Sequence, residues 1–265
     1  MPLYTADALV LRTYKLGEAD RIVVFLTEDR GKKRGVAKGA RRPRSPFAGA
    51  LEPLTQVRVA YFEKERRELV GLNYAEPARS PLSARPEALG HVGYFAELLD
   101  QWAQDGDPSE RLYRLGASML EALSAGGSIE HLARYFEFWI MRLQGVYPSF
   151  TVCHRCEGPL VDRGGAWLVP GSHVFLCGGC APAAHGDLPP SLSCAALGFL
   201  GEVRRLPPRR VGELPMDRVV ADELERVHHL LMGRHLEREL KSTRVLRELR
   251  RSAAPRPAPQ AESRR

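Results

Sequence analysis

Five cysteines occur in 265 residues, and four of them form two close pairs, Cys153-His154-Arg155-Cys156 and Cys177-Gly178-Gly179-Cys180, separated by twenty residues. Thiolates three positions apart on a tight turn face one ion, and two such knuckles complete a tetrahedral zinc site with no open position for water. The expectation is one structural Zn²⁺ held by Cys153, Cys156, Cys177 and Cys180, contributing to folding rather than to bond cleavage. Segments 160–161, 166–169 and 175–176 then supply the small hairpins of a zinc ribbon. His154, His173 and His185 are near enough in sequence to substitute as ligands, but exposed loop histidines are the plainer reading. A redox role needs a C-x-x-C pair at the start of a helix that follows a strand, and neither pair sits so. Cys194, just after Ser193 at a helix start, reads as a small core residue.

A second constellation is purely cationic. Arg30, Lys32, Lys33, Arg34, Lys38, Arg41, Arg42 and Arg44 are interrupted by no acid and are set among Gly31, Gly35 and Gly39. Side chains of this kind neutralise phosphates, which gives affinity that falls steeply with salt and carries little sequence information. Arg34, Lys38, Arg41, Arg42 and Arg44 are the expected nucleic-acid contacts; a merely solvated loop is the bland alternative. Phe47, Tyr61 and Phe62 either stack bases or fill a core. The glycines form no phosphate-binding loop for nucleotides, since G-x-x-x-x-G-K-[ST] is absent. No G-x-S-x-G, H-E-x-x-H or Cys/His nucleophile pattern occurs, so a non-enzymatic protein is expected. His228, His229 and His235 share a helix with Glu225 and Glu237, but neighbouring residues face different sides, and surface histidines are expected there.

The elements that must position these residues follow from periodicity. Apolar, β-branched runs at 8–11, 22–27, 35–38, 54–62 and 69–74, punctuated by Gly, Asp and Pro, predict a small five-stranded barrel over residues 1–80. Residues 39–53, with Pro43, Pro46 and Pro53, predict a long loop, of a length that is unusual and often functional. From residue 81 the period becomes helical: His91, Tyr94, Phe95, Leu98, Leu99 and Trp102 recur on one face. A second helix is predicted from Asp107-Pro108-Ser109-Glu110, with Asp107 as cap and Glu110 closing a capping box. A third is predicted to be capped by Ser128 and stopped by Gly145 and Pro148. The result is an α+β multidomain chain: barrel 1–80, helical bundle 81–148, zinc-ribbon insertion 149–190 and returning helices 191–250. Those helices are expected over about 194–205 and from Asp217, running as far as Leu246. The Pro- and Arg-rich tail 251–265 is expected to be disordered.

Composition bounds the partners. The net charge of +7 is uneven: residues 1–80 carry 16 Lys/Arg against 10 Asp/Glu, residues 81–233 carry 13 against 18, and residues 234–265 carry 10 against 4. A basic end module on an otherwise acidic body suggests a polyanionic partner. No run approaches the ~20 apolar residues that span a bilayer, and the first residues lack signal-peptide order, so a cytoplasmic protein is expected.

Several local words resemble one family in order and spacing. Thr5-Ala6-Asp7-Ala8-Leu9-Val10-Leu11, Gly17-Glu18-Ala19-Asp20, Thr27-Glu28-Asp29-Arg30-Gly31 and Ala37-Lys38-Gly39-Ala40-Arg41-Arg42 are similar to the opening motifs of RecO recombination mediators. Residues 94–98, 143–148 and 236–246 extend the resemblance over nearly the whole chain. It implies an N-terminal OB-fold, a central helical bundle and an inserted four-cysteine zinc ribbon. It also implies binding to single- and double-stranded DNA, annealing of complementary strands without ATP, and nucleoid association. Cooperation with RecR in loading RecA on DNA coated by single-stranded DNA-binding protein is implied as well. Lys38, Arg41 and Arg42 carry over from the matched motif together with the four cysteines; Arg34 and Arg44 rest on charge and proximity. The main alternative is a zinc-ribbon RNA- or protein-binding factor of transcription or translation; a metal-dependent nuclease is the enzyme alternative.

Overall fold

The computed structural model describes residues 2–64, 68–81, 86–181, 191–236 and 240–253. The chain opens with strands β1 (Leu3–Leu16), β2 (Asp20–Thr27), β3 (Lys32–Ala37), β4 (Gln56–Phe62) and β5 (Val70–Arg79), which close into a barrel in the order β1-β2-β3-β5-β4. All neighbours are antiparallel except β3 and β5, which pair in parallel through Gly35, Val36 and Ala37. This is the five-stranded OB-like arrangement.

The continuous apolar runs of β1 and β2 have a physical reason, since successive strand residues point to opposite faces and both faces are buried here. Ala8, Val10, Val23 and Phe25 fill the barrel, whereas Leu9, Leu11, Val24 and Leu26 point outward into the core of the helical part. Residues 38–55 form consecutive turns without regular strand or helix, as the prolines suggested, and tuck Phe47, Ala50 and Leu51 into the barrel core.

Helices α1 (Leu89–Trp102), α2 (Glu110–Ser124) and α3 (Ile129–Leu143) build the first part of the bundle. Gly116 allows α2 to approach the barrel, because a Cβ there would fall 2.6 Å from Leu9 and 2.7 Å from Leu99. The expected start of α2 shifts: Asp107 and Pro108 precede the helix, Ser109 flanks it without a capping bond, and no capping box forms. Asp107 is instead committed to the barrel, its backbone lying against Gly31. Ser128 flanks α3 as expected, but its hydroxyl meets His131 Nδ1 at 2.7 Å instead of a backbone N–H. Gly145, at φ +72°, ends α3, with the Val146 N–H returning to the Met141 carbonyl at 3.0 Å.

The cysteine region carries short strands β6 (Ala166–Leu168), β7 (Phe175–Leu176) and β8 (Ser191–Leu192), ordered β7-β6-β8. Segment 160–161 forms no strand: Leu160 leads into a 3-10 turn, Val161–Arg163. Helices α4 (Cys194–Val203), α5 (Arg218–Leu236) and α6 (Lys241–Ala253) follow. Asp217 caps α5, its Oδ1 accepting from the Val220 N–H at 2.8 Å. The single helix expected from 217 to 246 is therefore two, with Leu240 outside any helix and buried. Arg251 to Ala253 belong to α6, and the rest of the expected tail lies outside the described residues.

Two cores result. One fills the barrel; the other joins the outer face of β1 and β2, the helices and the cysteine region, including Cys153, Leu160, Phe175, Cys177 and Leu192.

Candidate metal centre and nucleic-acid interface

The four paired cysteines converge, with all four Sγ atoms within 4.8 Å of one another. Cys156 and Cys177 Sγ are 3.8 Å apart, the edge of a tetrahedron whose metal–sulfur bonds are about 2.3 Å long. Two short turns place them. In the first, Glu157 adopts φ +57° and its N–H returns to the Cys153 carbonyl, while the Cys153 N–H donates to Gly158. In the second, the N–H groups of Cys180 and Ala181 both donate to the Cys177 carbonyl. The His154 N–H donates to the Phe175 carbonyl and ties the first turn to β7.

Thiol acidity follows from this crowding. Burial opposes ionisation of Cys153, but the N–H groups of Cys156, Cys177 and Arg155 outweigh it and bring the thiol down to about 6. Hydrogen bonding to the neighbouring sulfurs of Cys156 and Cys177 drives Cys180 up to about 12. Four sulfurs so packed cannot all ionise unless a cation stands among them, and this donor set fits a dication such as Zn²⁺. His154 and His173 are exposed and His185 lies outside the described residues. Cys194 corrects an expectation: it is exposed, with its Sγ 3.1 Å from the Val161 carbonyl oxygen, because the first turn of α4 points it away from the core.

The cationic cluster divides by environment. Lys32 is buried against α1: its Nζ donates to the Asp100 carbonyl at 2.6 Å and lies 3.5 Å from the Asp100 carboxylate and 3.4 Å from Asp105. Arg12 pairs with the same Asp100. Lys33 pairs with Glu63 at 2.9 Å, Arg34 with Asp105 at 3.2 Å, and Arg30 lies 4.2 Å over the Tyr4 ring. The contacts of Lys32 and Arg34 with Asp105, with the Gly106 N–H donating to the Lys32 carbonyl, strap the α1–α2 connection onto β3.

Beyond Ala37 the charges stand differently. Arg41 is exposed, and its guanidinium donates to the carbonyls of Gly17 and Glu18, which holds the β3–β4 connection against the β1–β2 turn. Lys38, Arg42 and Arg44 are exposed and make no ion pair among the described residues. Phe47 and Tyr61 are buried in the barrel and Phe62 is half-buried on its surface, which settles the first two as core.

The histidine expectation needs correction as well. His228 is fully buried, its Nδ1 3.0 Å from Glu137 Oε2 and its Nε2 3.0 Å from the Tyr147 hydroxyl. Glu137 Oε1 accepts from Tyr94 at 2.8 Å and from Arg134 at 2.9 Å. Burial raises the Glu137 carboxyl, but Arg134 and the His228 hydrogen bond prevail and hold it down to about 2. Burial is also what lowers the His228 pKa, against the pull of Glu137. His229 is about a quarter exposed and His235, though exposed, stacks on Trp102 at 4.5 Å. No local signal marks this network, because Glu137 and His228 lie 91 positions apart and each looks like an ordinary surface residue in its own heptad.

Comparison with known proteins agrees with this geometry. The family models "Recombination protein O N terminal" and "Recombination protein O C terminal" match residues 1–81 and 83–244. Among curated relatives, a "DNA repair protein RecO" of Koribacter versatilis is 36% identical over 251 residues, covering 93% of this chain and 99% of the relative. Proteins of the same name from Anaeromyxobacter sp. strain K and Pelotomaculum thermopropionicum are 33% and 32% identical, each over 91% of this chain and 94% and 93% of the relative. Among the described residues no helix is long and apolar enough to cross a membrane.

Proposed function

The chain belongs to the RecO family of DNA repair proteins, and from that premise we propose that it is a non-catalytic recombination mediator whose barrel holds DNA by its phosphates. One observation carries the reading of the site: Lys38, Arg42 and Arg44 present charge on one connection without an ion pair among the described residues, while Arg41 fixes that connection to the β1–β2 turn. Arg34, at the other end of β3, shares its charge with Asp105 and adds a weaker contact.

Cations on a rigid barrel lower the mutual repulsion of two strands, and base pairing then supplies the driving force for annealing. No nucleotide turnover enters, so annealing proceeds without ATP. Cys153, Cys156, Cys177 and Cys180 hold one structural Zn²⁺, which braces the turns between α3 and α4 and supplies no reacting ligand position. In the cell the protein acts in the cytoplasm at the nucleoid, with RecR and single-stranded DNA-binding protein as partners in placing RecA on coated DNA.

The test is equilibrium binding of labelled oligonucleotides across a salt series, comparing wild type with the combined variant Arg34→Glu, Lys38→Glu, Arg41→Glu, Arg42→Glu. Wild type should bind with a steep salt slope that the folded variant largely loses. A folded variant that binds as well as wild type would remove the barrel cluster as the DNA site. Annealing of complementary strands by pure wild type at low salt, without nucleotide, checks the second half of the proposal; a rate equal to that in buffer rejects it.

A further inference from the structure

One sector of the barrel surface is apolar, open and notched. Ile22 pairs with Val36, Val36 with Gly71, Gly71 with Phe62, and Phe62 with Leu3. Directly opposed residues share a face, so these five make one row across all five strands. The flanking residues Val23, Ala37, Tyr61 and Leu72 point into the barrel core, which places the row outside. The helices cover the outer face around Leu9, Leu11, Val24 and Leu26, but here Leu3 stays 52% and Leu69 37% exposed.

Gly71 interrupts the row, and a Cβ built there meets nothing within 4 Å. The missing side chain is the floor of a cleft of about 660 Å³ between Val36, Phe62 and Leu69, with Lys38, Lys64 and Glu68 on its rim. That volume falls in the range of roughly 300–1,000 Å³ typical of small-ligand clefts.

We infer that this cleft takes one unpaired base of a single-stranded nucleic acid, laid on Phe62 over Gly71, with the flanking phosphates on Lys38 and Lys64. The inference rests on the nucleic-acid reading above and gives it strand selectivity. Charge complementarity chooses the occupant: an apolar floor with an aromatic wall between two lysines matches a flat base carried on an anionic backbone, and a duplex exposes no base face to it. Glu68 disfavours phosphate on its side of the rim, which directs the backbone toward the lysines, and its carboxylate can accept from an exocyclic amino group.

The experiment uses the full chain as wild type, Gly71→Leu and Phe62→Leu, with a labelled mixed-sequence single strand and the matching duplex at fixed and graded salt. Gly71→Leu fills open space on the barrel surface, so it leaves the fold intact while closing the cleft. The expected result is a loss of about ten-fold in single-strand affinity for Gly71→Leu and a smaller loss for Phe62→Leu. Duplex affinity should stay within about two-fold and the salt slopes should not change, since the phosphate contacts remain. Equal losses for single strand and duplex would make the cleft a backbone contact and overturn the inference. Variants that bind both forms as wild type does would overturn it too, leaving the mediator reading in place. Wild type that binds neither form would overturn both.

Discussion

Glu137 is wholly buried, yet it accepts hydrogen bonds from Tyr94, Arg134 and His228, and so holds α1, α3 and α5 together through one carboxylate. With Glu137 ionised, His228 donates through Nδ1 and receives the Tyr147 hydroxyl at Nε2. Glu137→Ala takes the hydrogen-bond acceptor from the buried Arg134 guanidinium and leaves it the 3.6 Å contact with Glu225, a loss of about 3 kcal/mol readable by denaturant unfolding. The network also sets a pH response. Burial keeps His228 below its ordinary value of 6.5, so an unfolded chain takes up protons first as pH falls through that value. Glu137, held at about 2 against an ordinary 4.5, repeats the effect lower down. Both have the same sign: the unfolded state binds more protons, and stability declines on acidification. The melting midpoint should therefore fall between pH 7 and pH 5.5 and fall further below pH 4.5, and a flat profile over that range would contradict the assignment. At the cysteines, Cys156→Ser should lose the metal proposed there and lower the melting midpoint, whereas Cys194→Ser should change neither; metal content by atomic emission together with thermal scans decides.

At the scale of elements, α6 shows how little a local sequence says about where a helix begins. Its first N–H groups, Lys241 at 3.1 Å and Ser242 at 2.7 Å, donate to the Glu97 carboxylate of α1, a cap supplied from more than a hundred residues away. Glu97→Ala should cost about 1 kcal/mol, and should speed hydrogen exchange in α6 while leaving α3 protected. The strands and helices whose signals lie within a few residues were legible: the continuous apolar run of β2, the helical stripe of α1, and Gly145 as a stop. The four thiolates were legible too, because their spacing alone forces them onto two turns. What escaped depends on distant partners. Asp107 looks like a cap but belongs to the contact with Gly31, the run from α5 into α6 gives no break signal to periodicity, and β1 extends to Leu3 because β4 pairs with it there.

Taken as a whole, the molecule sets the cationic run from Arg30 to Arg44 in two unlike environments. Lys32 pins the barrel to α1 through Asp100, and Lys38, a few residues on, faces solvent. Their alanine variants should separate cleanly. Lys32→Ala should lose about 2 kcal/mol of stability with its DNA salt slope intact, because the buried Asp100 carbonyl loses its charged donor while Arg12 still pairs with the Asp100 carboxylate. Lys38→Ala should keep its stability and lose roughly one unit of salt slope. Composition alone could not make this division, since it counts charge without knowing which carboxylates fold back onto it.

The boundary between the two matched halves, near residue 82, is a break in the chain's chemistry but not in its interior. Leu9, Leu11, Val24 and Leu26 turn their backs on the barrel and complete a core owned by the helices. A gene fragment encoding residues 1–81 would thus close its barrel and still carry a bare greasy strip along two strands. It should come off a sizing column as a self-associated species, while the same fragment with those four leucines and valines changed to polar residues should run as a monomer.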